Sequence, residues 1–313
     1  MVARSPGARL AVALGVRFGL ILITFVLIVV LAQVALVSAR TRIDHADLWA
    51  ILKQAGEGTQ DYFGSLLGGS LGEATSTSIL GGQRRSMGQV LLDAYPKSMA
   101  LVAIAIGMAT VLGIVTGVAA AAVRTARARG AVLGVTILAI STPSFLLAIL
   151  LVSLGAELTA RAGIRLWPSF GFGWDDHLLL PSIVLGARPF AQIANIAYVS
   201  VAEVLRLDYI RTARSKGLLE SRILFRHALG NAAVPIIGAI ATGLSIALST
   251  LPVVEVFFSW PGIGFALLLA IRRFDPATAG TLLGTLAVTI AILRMALDAL
   301  AARYAHAATG ASA

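Results

Sequence analysis

The sequence predicts an all-α polytopic membrane protein with six transmembrane helices, and three observations carry that prediction. Apolar residues make up 58% of the 313 residues and charged residues only 13%, too few to clothe a soluble domain of this size. The apolar residues fall in six long runs, at 16–37, 98–123, 131–155, 178–201, 232–258 and 278–300. Each is close to or above the ~20 residues that cross a hydrocarbon core as a helix. The charges sit in patches between the runs, and the short patches 124–130 and 201–231 are rich in Arg. Such loops belong in the cytoplasm, which places both termini there too and residues 39–97 outside. The whole chain, 1–313, then reads as a single transmembrane domain.

A net charge of +10 raises nucleic acid as a partner. The basic residues lie beside apolar runs, however, so the lipid bilayer accounts for them and no nucleic acid is expected. The chain has no cysteine, which excludes disulfides, thiolate metal sites and cysteine nucleophiles.

The first run, 16–37, follows a short basic tail. It lacks a small-residue cleavage site and its apolar core is longer than a signal peptide's, so it reads as a retained helix. Residues 39–97 form the long polar segment, crowded with glycine. One or two short helices are expected in it, such as 47–54 and 60–67. In the second run Ala109, Gly113, Gly117 and Ala121 recur every fourth residue, a small-residue face for close helix packing.

The third run is interrupted at Pro143-Ser144-Phe145, where proline is expected to kink the helix next to protein or a water-filled cavity. After it Trp167 and Trp174 fit an interfacial aromatic belt. The fourth run carries Arg188-Pro189 about ten residues in, with Gln192 and Asn195 beyond. A charge at that depth faces protein or water. Arg188 is either tied to carbonyls freed at the proline or lines a pathway and meets a substrate carboxylate. The fifth run ends in Pro252-Val253-Val254-Glu255-Val256-Phe257-Phe258-Ser259-Trp260-Pro261-Gly262. Glu255 is either a structural ion-pair partner or a receptor for a peptide's amino group. Arg272, Arg273 and Asp275 complete a short outer loop before the sixth run.

The segment 201–231 is too charged for hydrocarbon and has the grammar of two short helices. Asp208 is expected to cap the first, with Tyr209 in its first turn and Gly217 closing it at positive φ. The second runs from 220 to 229 and ends at Gly230-Asn231. The segment is either a solvated basic loop or an ordered docking element.

Residue order bears on that choice. The segment reads Asp208-Tyr209, Arg211-Thr212-Ala213-Arg214, Lys216-Gly217-Leu218, then Arg226-His227-Ala228-Leu229, Asn231-Ala232 and Pro235. It resembles the cytoplasmic coupling loop, the EAA loop, of ATP-binding-cassette (ABC) importer permeases of the dipeptide, oligopeptide and nickel family. Of the general E-A-A form only Ala213, Gly217 and Leu229 match; the peptide-permease form fits far better. The stretch 252–264, the Pro143-Ser144-Phe145 break, and a turn at Ser70-Leu71-Gly72 followed by a return to the membrane at Tyr95-Pro96-Lys97-Ser98 are similar to segments of the same family. The resemblance covers about residues 61–300 and implies a bacterial cytoplasmic (inner) membrane. The family's Pro-Gly-Asp-Pro signature after the first helix is absent.

The resemblance implies a type I ABC importer permease fold and one half of a translocation pore for dipeptides or oligopeptides. It implies a second homologous permease subunit forming a heterodimer, two ABC ATPase subunits and an extracytoplasmic substrate-binding protein. It makes Asp208, Tyr209, Arg211, Thr212, Ala213, Arg214, Lys216, Gly217, Arg226 and His227 candidates for ATPase coupling. Pro143, Ser144, Phe145, Arg188, Gln192, Asn195 and Glu255 are candidates for the pathway. Nothing in the residues argues for an enzyme. No G-x-x-x-x-G-K-[ST] loop, H-E-x-x-H or G-x-S-x-G occurs, and the four histidines are scattered. No catalytic residue, metal or cofactor is expected in this chain, with ATP and magnesium held by the ATPase partners. The competing readings are a six-span membrane enzyme and a self-sufficient channel.

Overall fold

The computed structural model describes residues 6–40, 48–68, 86–123, 125–163, 167–273 and 275–310. The turn expected at Ser70-Leu71-Gly72 lies outside them. Among the described residues every element is helical: α1 (Pro6–Arg40), α2 (Leu48–Leu67), α3 (Met87–Ala122), α4 (Ala126–Ser141), α5 (Ser144–Ala162), α6 (Leu179–Val204) and α7 (Asp208–Ser215). Next come α8 (Glu220–Arg222), a π-helical turn (Ile223–Ala228) and α9 (Leu229–Asn231), followed by α10 (Ala233–Phe258), α11 (Ile263–Arg272) and α12 (Pro276–Gly310). Five helices contain a stretch long and apolar enough to cross a membrane. A sixth is reached when Asp176–Val204 and α7, bent by 69° at their junction, are taken together. Six spans are consistent with this architecture.

The chain divides into two compact units, Met1–Pro96 with Pro261–Ala291 and Lys97–Trp260 with Ile292–Ala313. In the first, α1 and α2 pack closely where a Cβ on Gly58 would meet the Gln33 side chain at 3.0 Å, and Gln33 Nε2 donates to Gly58 O. That contact explains a glycine inside a helix. Of the one or two short helices expected here, at 47–54 and 60–67, the structure has one, and it joins the two stretches because Gly56 and Gly58 are carried by the continuous backbone ladder and this packing. Thr281 on α12 donates to the Tyr62 hydroxyl at 3.1 Å, and Tyr95 and Thr289 share a hydrogen bond at 3.2 Å.

Two further departures from the sequence reading belong here. Residues 87–97 are the first three turns of α3 and not a loop; Pro96 is accommodated inside the helix. The outer loop after residue 262 contains α11, whose Ile263, Ala266, Leu267 and Ala270 are buried. Ten apolar residues are too short to span and fit an internal helix instead. Asp275 then accepts from the Thr278 amide at 3.1 Å and its hydroxyl at 2.7 Å, and Pro276 follows as the first residue of α12.

In the second unit the core is α6 packed on α3, α4 and α10. The small-residue face of α3 does what its spacing predicts. A Cβ on Gly113 would meet Ile193 Cβ and Phe190 O at 3.0 Å, and buried Ala109 joins Ile193 and Ala239 in one apolar cluster. Gly243 on α10 meets Pro189 in the same way at 3.1 Å, so the proline kink of α6 is packed and not left open. The third apolar run is not one kinked helix but two. α4 ends at Ser141, Thr142 and Pro143 are extended, and α5 begins at Ser144. Proline removes a backbone donor and biases the residue before it away from the helical region, which separates the two segments.

Candidate functional site

The 201–231 segment is an ordered platform. In α7 the side chains of Ile210 and Ala213 point inward, where with Ile223 they form an apolar cluster sealed by Val204, Leu205 and Leu218. The opposite face exposes Tyr209, Arg211, Thr212, Arg214 and Ser215, with Lys216 just beyond the last turn. α7 ends in a full Schellman closure. Leu218 N donates to Ala213 O at 3.2 Å, Gly217 N donates to Arg214 O at 2.9 Å, and Gly217 has φ of +76°.

The N-terminus departs from expectation. Leu207, in extended conformation, occupies the cap position and Asp208 is the first helical residue. Its carboxylate is 95% exposed and caps nothing; it lies 3.6 Å from Arg211 Nη1, where it still meets the positive end of the helix.

Both halves of the motif bind one another. Arg214 Nε donates to Glu220 Oε1 at 2.6 Å and Nη2 to Oε2 at 3.3 Å, a bidentate pair across the Gly217 turn. This hydrogen bonding raises the guanidinium above its ordinary pKa. Asn231 Nδ2 donates to the Tyr209 hydroxyl at 2.9 Å and to His227 O at 2.7 Å. The second helix continues to Asn231 and contains the π turn at Ile223–Ala228. Its wider winding lets Ile223 and Ala228, five residues apart, both point into the core. Ala228 packs with Val118, Ala197, Val201, Ala232 and Ile236, which ties the platform to α3, α6 and α10. Arg226 is exposed and His227 half-buried.

Two residues on this surface were not singled out from the sequence. Leu219 is 74% exposed and Phe225 67% exposed, beside a basic helix in a segment expected to lie in water. Their only sequence signal is apolar character at positions whose neighbours are charged.

The pathway candidates are not gathered into one place. Pro143 and Ser144 form the start of α5 at the helix break, and Phe145 is exposed there. Asn195 is a tie between helices: Thr136 on α4 lies 3.3 Å from its Oδ1. Glu255 is in the protein interior, 0% exposed, with Ser98 Oγ on α3 donating to its Oε1 at 2.5 Å. Trp260 closes over the same corner, with its indole Nε1 donating to Lys97 O at 3.2 Å. Ser98→Ala removes that donor from a buried carboxyl and should cost about 1–3 kcal/mol. A melting midpoint in detergent lowered by several degrees is the expected readout; an unchanged midpoint would mean that the other partners of Glu255 suffice.

Arg188 differs from these. It is exposed on α6, and its side chain makes no hydrogen bond or ion pair with any described residue. Carbonyls at the Pro189 kink do not hold it. Gln192, one turn on, is half-buried, and Ile196 and Val199 continue the exposed face. Arg188 lies nine residues into α6, about 14 Å along its axis at the α-helical rise.

A family model described as the inner membrane component of binding-protein-dependent transport systems matches residues 113–308. The chain is 33% identical to the di/tripeptide transport system permease protein of Pseudomonas aeruginosa over 298 residues, 85% of this chain and 87% of that one. It is 34% identical to the dipeptide transport system permease protein of Bacillus subtilis over 197 residues, 63% of this chain and 62% of that one. To the Escherichia coli dipeptide permease protein it is 41% identical over 125 residues, 40% and 37% of the two chains.

Proposed function

Because the chain belongs to the family of binding-protein-dependent transport system inner membrane components, we propose that it is the permease subunit of an ATP-driven importer that carries dipeptides and oligopeptides across the inner membrane. It forms half of the pathway beside a second homologous permease. Two ABC ATPases holding ATP and magnesium dock on the cytoplasmic side, where both termini also lie, and the 201–231 platform of this chain sits in a groove of one of them. A substrate-binding protein delivers peptide on the far side, beyond residues 39–97.

The observation that carries this reading is Arg188, exposed at mid-span with no partner among the described residues. A guanidinium facing acyl chains costs several kcal/mol or more, so this face of α6 is covered by another subunit or opens on water. An importer pathway between two permeases supplies both. A planar guanidinium forks to a carboxylate, and every linear peptide carries one at its C-terminus. The platform supplies the other requirement, an exposed basic and apolar surface rigidly tied to α3, α6 and α10, so that a push on α7 is transmitted to the spans. Alternating access then proceeds as rocking of packed bodies about a site near the middle of the bilayer.

Arg188→Ala, in the complex with its partners, should lower dipeptide uptake at least about tenfold, a loss of ~1.4 kcal/mol, while the purified complex keeps its subunits. Arg188→Lys should recover only part of it, since an ammonium lacks the fork. Wild-type uptake in Arg188→Ala would remove the pathway role, and loss of the second permease from the complex would make Arg188 an interface residue instead.

A further inference from the structure

A cavity of about 580 Å³ opens in the second unit, lined by the C-terminal ends of α3 and α6 and by both sides of the Gly217 turn. Its polar lining is Arg129, Tyr198, Arg206, Arg214 and Glu220, three guanidinium groups against one carboxylate. Arg214 and Glu220 neutralise one another through their bidentate pair. The remaining two cations have no counter-charge among the described residues. Arg129 uses Nη2 on Val123 O at 3.1 Å and stacks 5.9 Å from the Tyr198 ring centre, but its Nε is buried without a partner. Arg206 is exposed, and its side chain has no hydrogen bond or ion pair with a described residue. A buried guanidinium N–H left unpaired in a polar cavity is the mark of an absent acceptor.

We propose that this cavity binds the phosphate of an anionic phospholipid headgroup. The acceptor must be anionic, reach Arg129 Nε and Arg206 together, and occur at the bilayer boundary, where the ends of α3 and α6 place the cavity. A phosphodiester meets all three conditions, and basic pockets between spans at that level recognise such headgroups. The wall is also partly apolar, with Ala121, Leu205 and Leu224, which suits an amphiphile whose chains run back along the helices and does not suit a fully hydrated acidic side chain. The cavity touches α3, α6 and both sides of the Gly217 turn, so a headgroup seated there fastens the platform to the spans. This inference concerns the bilayer boundary and holds whatever cargo the pathway carries.

The test is native mass spectrometry of the full-length chain in detergent, titrated with phosphatidylglycerol or with phosphatidylcholine of the same acyl chains. Phosphatidylglycerol should be retained with at least about tenfold preference. Arg206→Gln should lower its affinity roughly fivefold and the Arg129→Gln, Arg206→Gln double variant roughly thirtyfold, at about 1 kcal/mol per cation. Arg222→Gln, an exposed arginine outside the cavity, should leave it unchanged. Should the double variant fail to fold, Arg206→Gln decides alone, because the exposed Arg206 side chain makes no hydrogen bond or ion pair with a described residue. Equal retention of the two lipids, or wild-type retention in Arg206→Gln, would overturn the proposal. Displacement of phosphatidylglycerol by a millimolar excess of inorganic phosphate would assign the cavity to free phosphate and overturn the headgroup as its occupant.

Discussion

Gly117→Val is expected to abolish recovery of the folded chain from the membrane. A Cβ at this position would lie 2.5 Å from Ala194 O, 2.6 Å from Ala197 Cβ and 2.8 Å from Tyr198 N. Two of those three atoms are backbone of α6, which has no flexible end to swing aside. α6 cannot retreat either, because Gly243 and Pro189 hold it against α10 on another face. Overpacking typically costs 1–3 kcal/mol, and more where backbone must shift. Valine adds two methyl groups to the clash, so an effect at or above the upper end is expected, a large share of the stability of any domain. Gly107 on the same helix is the control. A Cβ there meets nothing within 4 Å, so Gly107→Ala should be neutral or gain about 1 kcal/mol of helix propensity. The measurement is the yield of monodisperse protein and its melting midpoint in detergent. A wild-type midpoint for Gly117→Val would show that the close contact of α3 and α6 is dispensable.

That contact was legible in the sequence because a four-residue recurrence of small groups has one geometric meaning on a helix. Gly217 was legible for a similar reason: a glycine at the end of a short charged helix predicts the left-handed closure that the structure contains. Other features depend on what lies across space. Asp208 looked like a cap by residue type, but Leu207 takes the cap conformation and the carboxylate sits one position inside. The break at Pro143 could be placed but its depth could not, since a packed proline such as Pro189 leaves α6 whole while Pro143 separates α4 from α5. The helix α11 was missed because ten apolar residues after a Gly-rich turn resemble a loop until something covers them. Arg188 could be called costly from its depth alone, yet only the fold shows that no described residue partners it. Leu219 and Phe225 carried no periodic signal, and their exposure emerged only with the platform beneath them.

The platform is where the account is most exposed to contradiction. Gly217→Val places a β-branched residue at φ of +76°, a strain of about 1–2 kcal/mol for any non-glycine residue and more for valine. Relieving it opens the Schellman closure and displaces Arg214 from Glu220, so that α7 no longer holds its angle to the second helix. Arg211→Glu leaves the fold alone, since Arg211 is exposed and its one ion pair is a loose surface contact, but it reverses charge on the outward face. The spans are remote from both changes, so both variants should insert and assemble. The decisive measurement is peptide-stimulated ATP hydrolysis, together with peptide uptake, in the reconstituted complex of this chain with its second permease, ATPases and binding protein. The account predicts that Gly217→Val and Arg211→Glu each lower stimulated hydrolysis and uptake in parallel, by about tenfold or more for Gly217→Val, because one coupling free energy serves both directions. Wild-type stimulation and wild-type uptake in both variants would contradict it: residues 208–217 would then not be the coupling element.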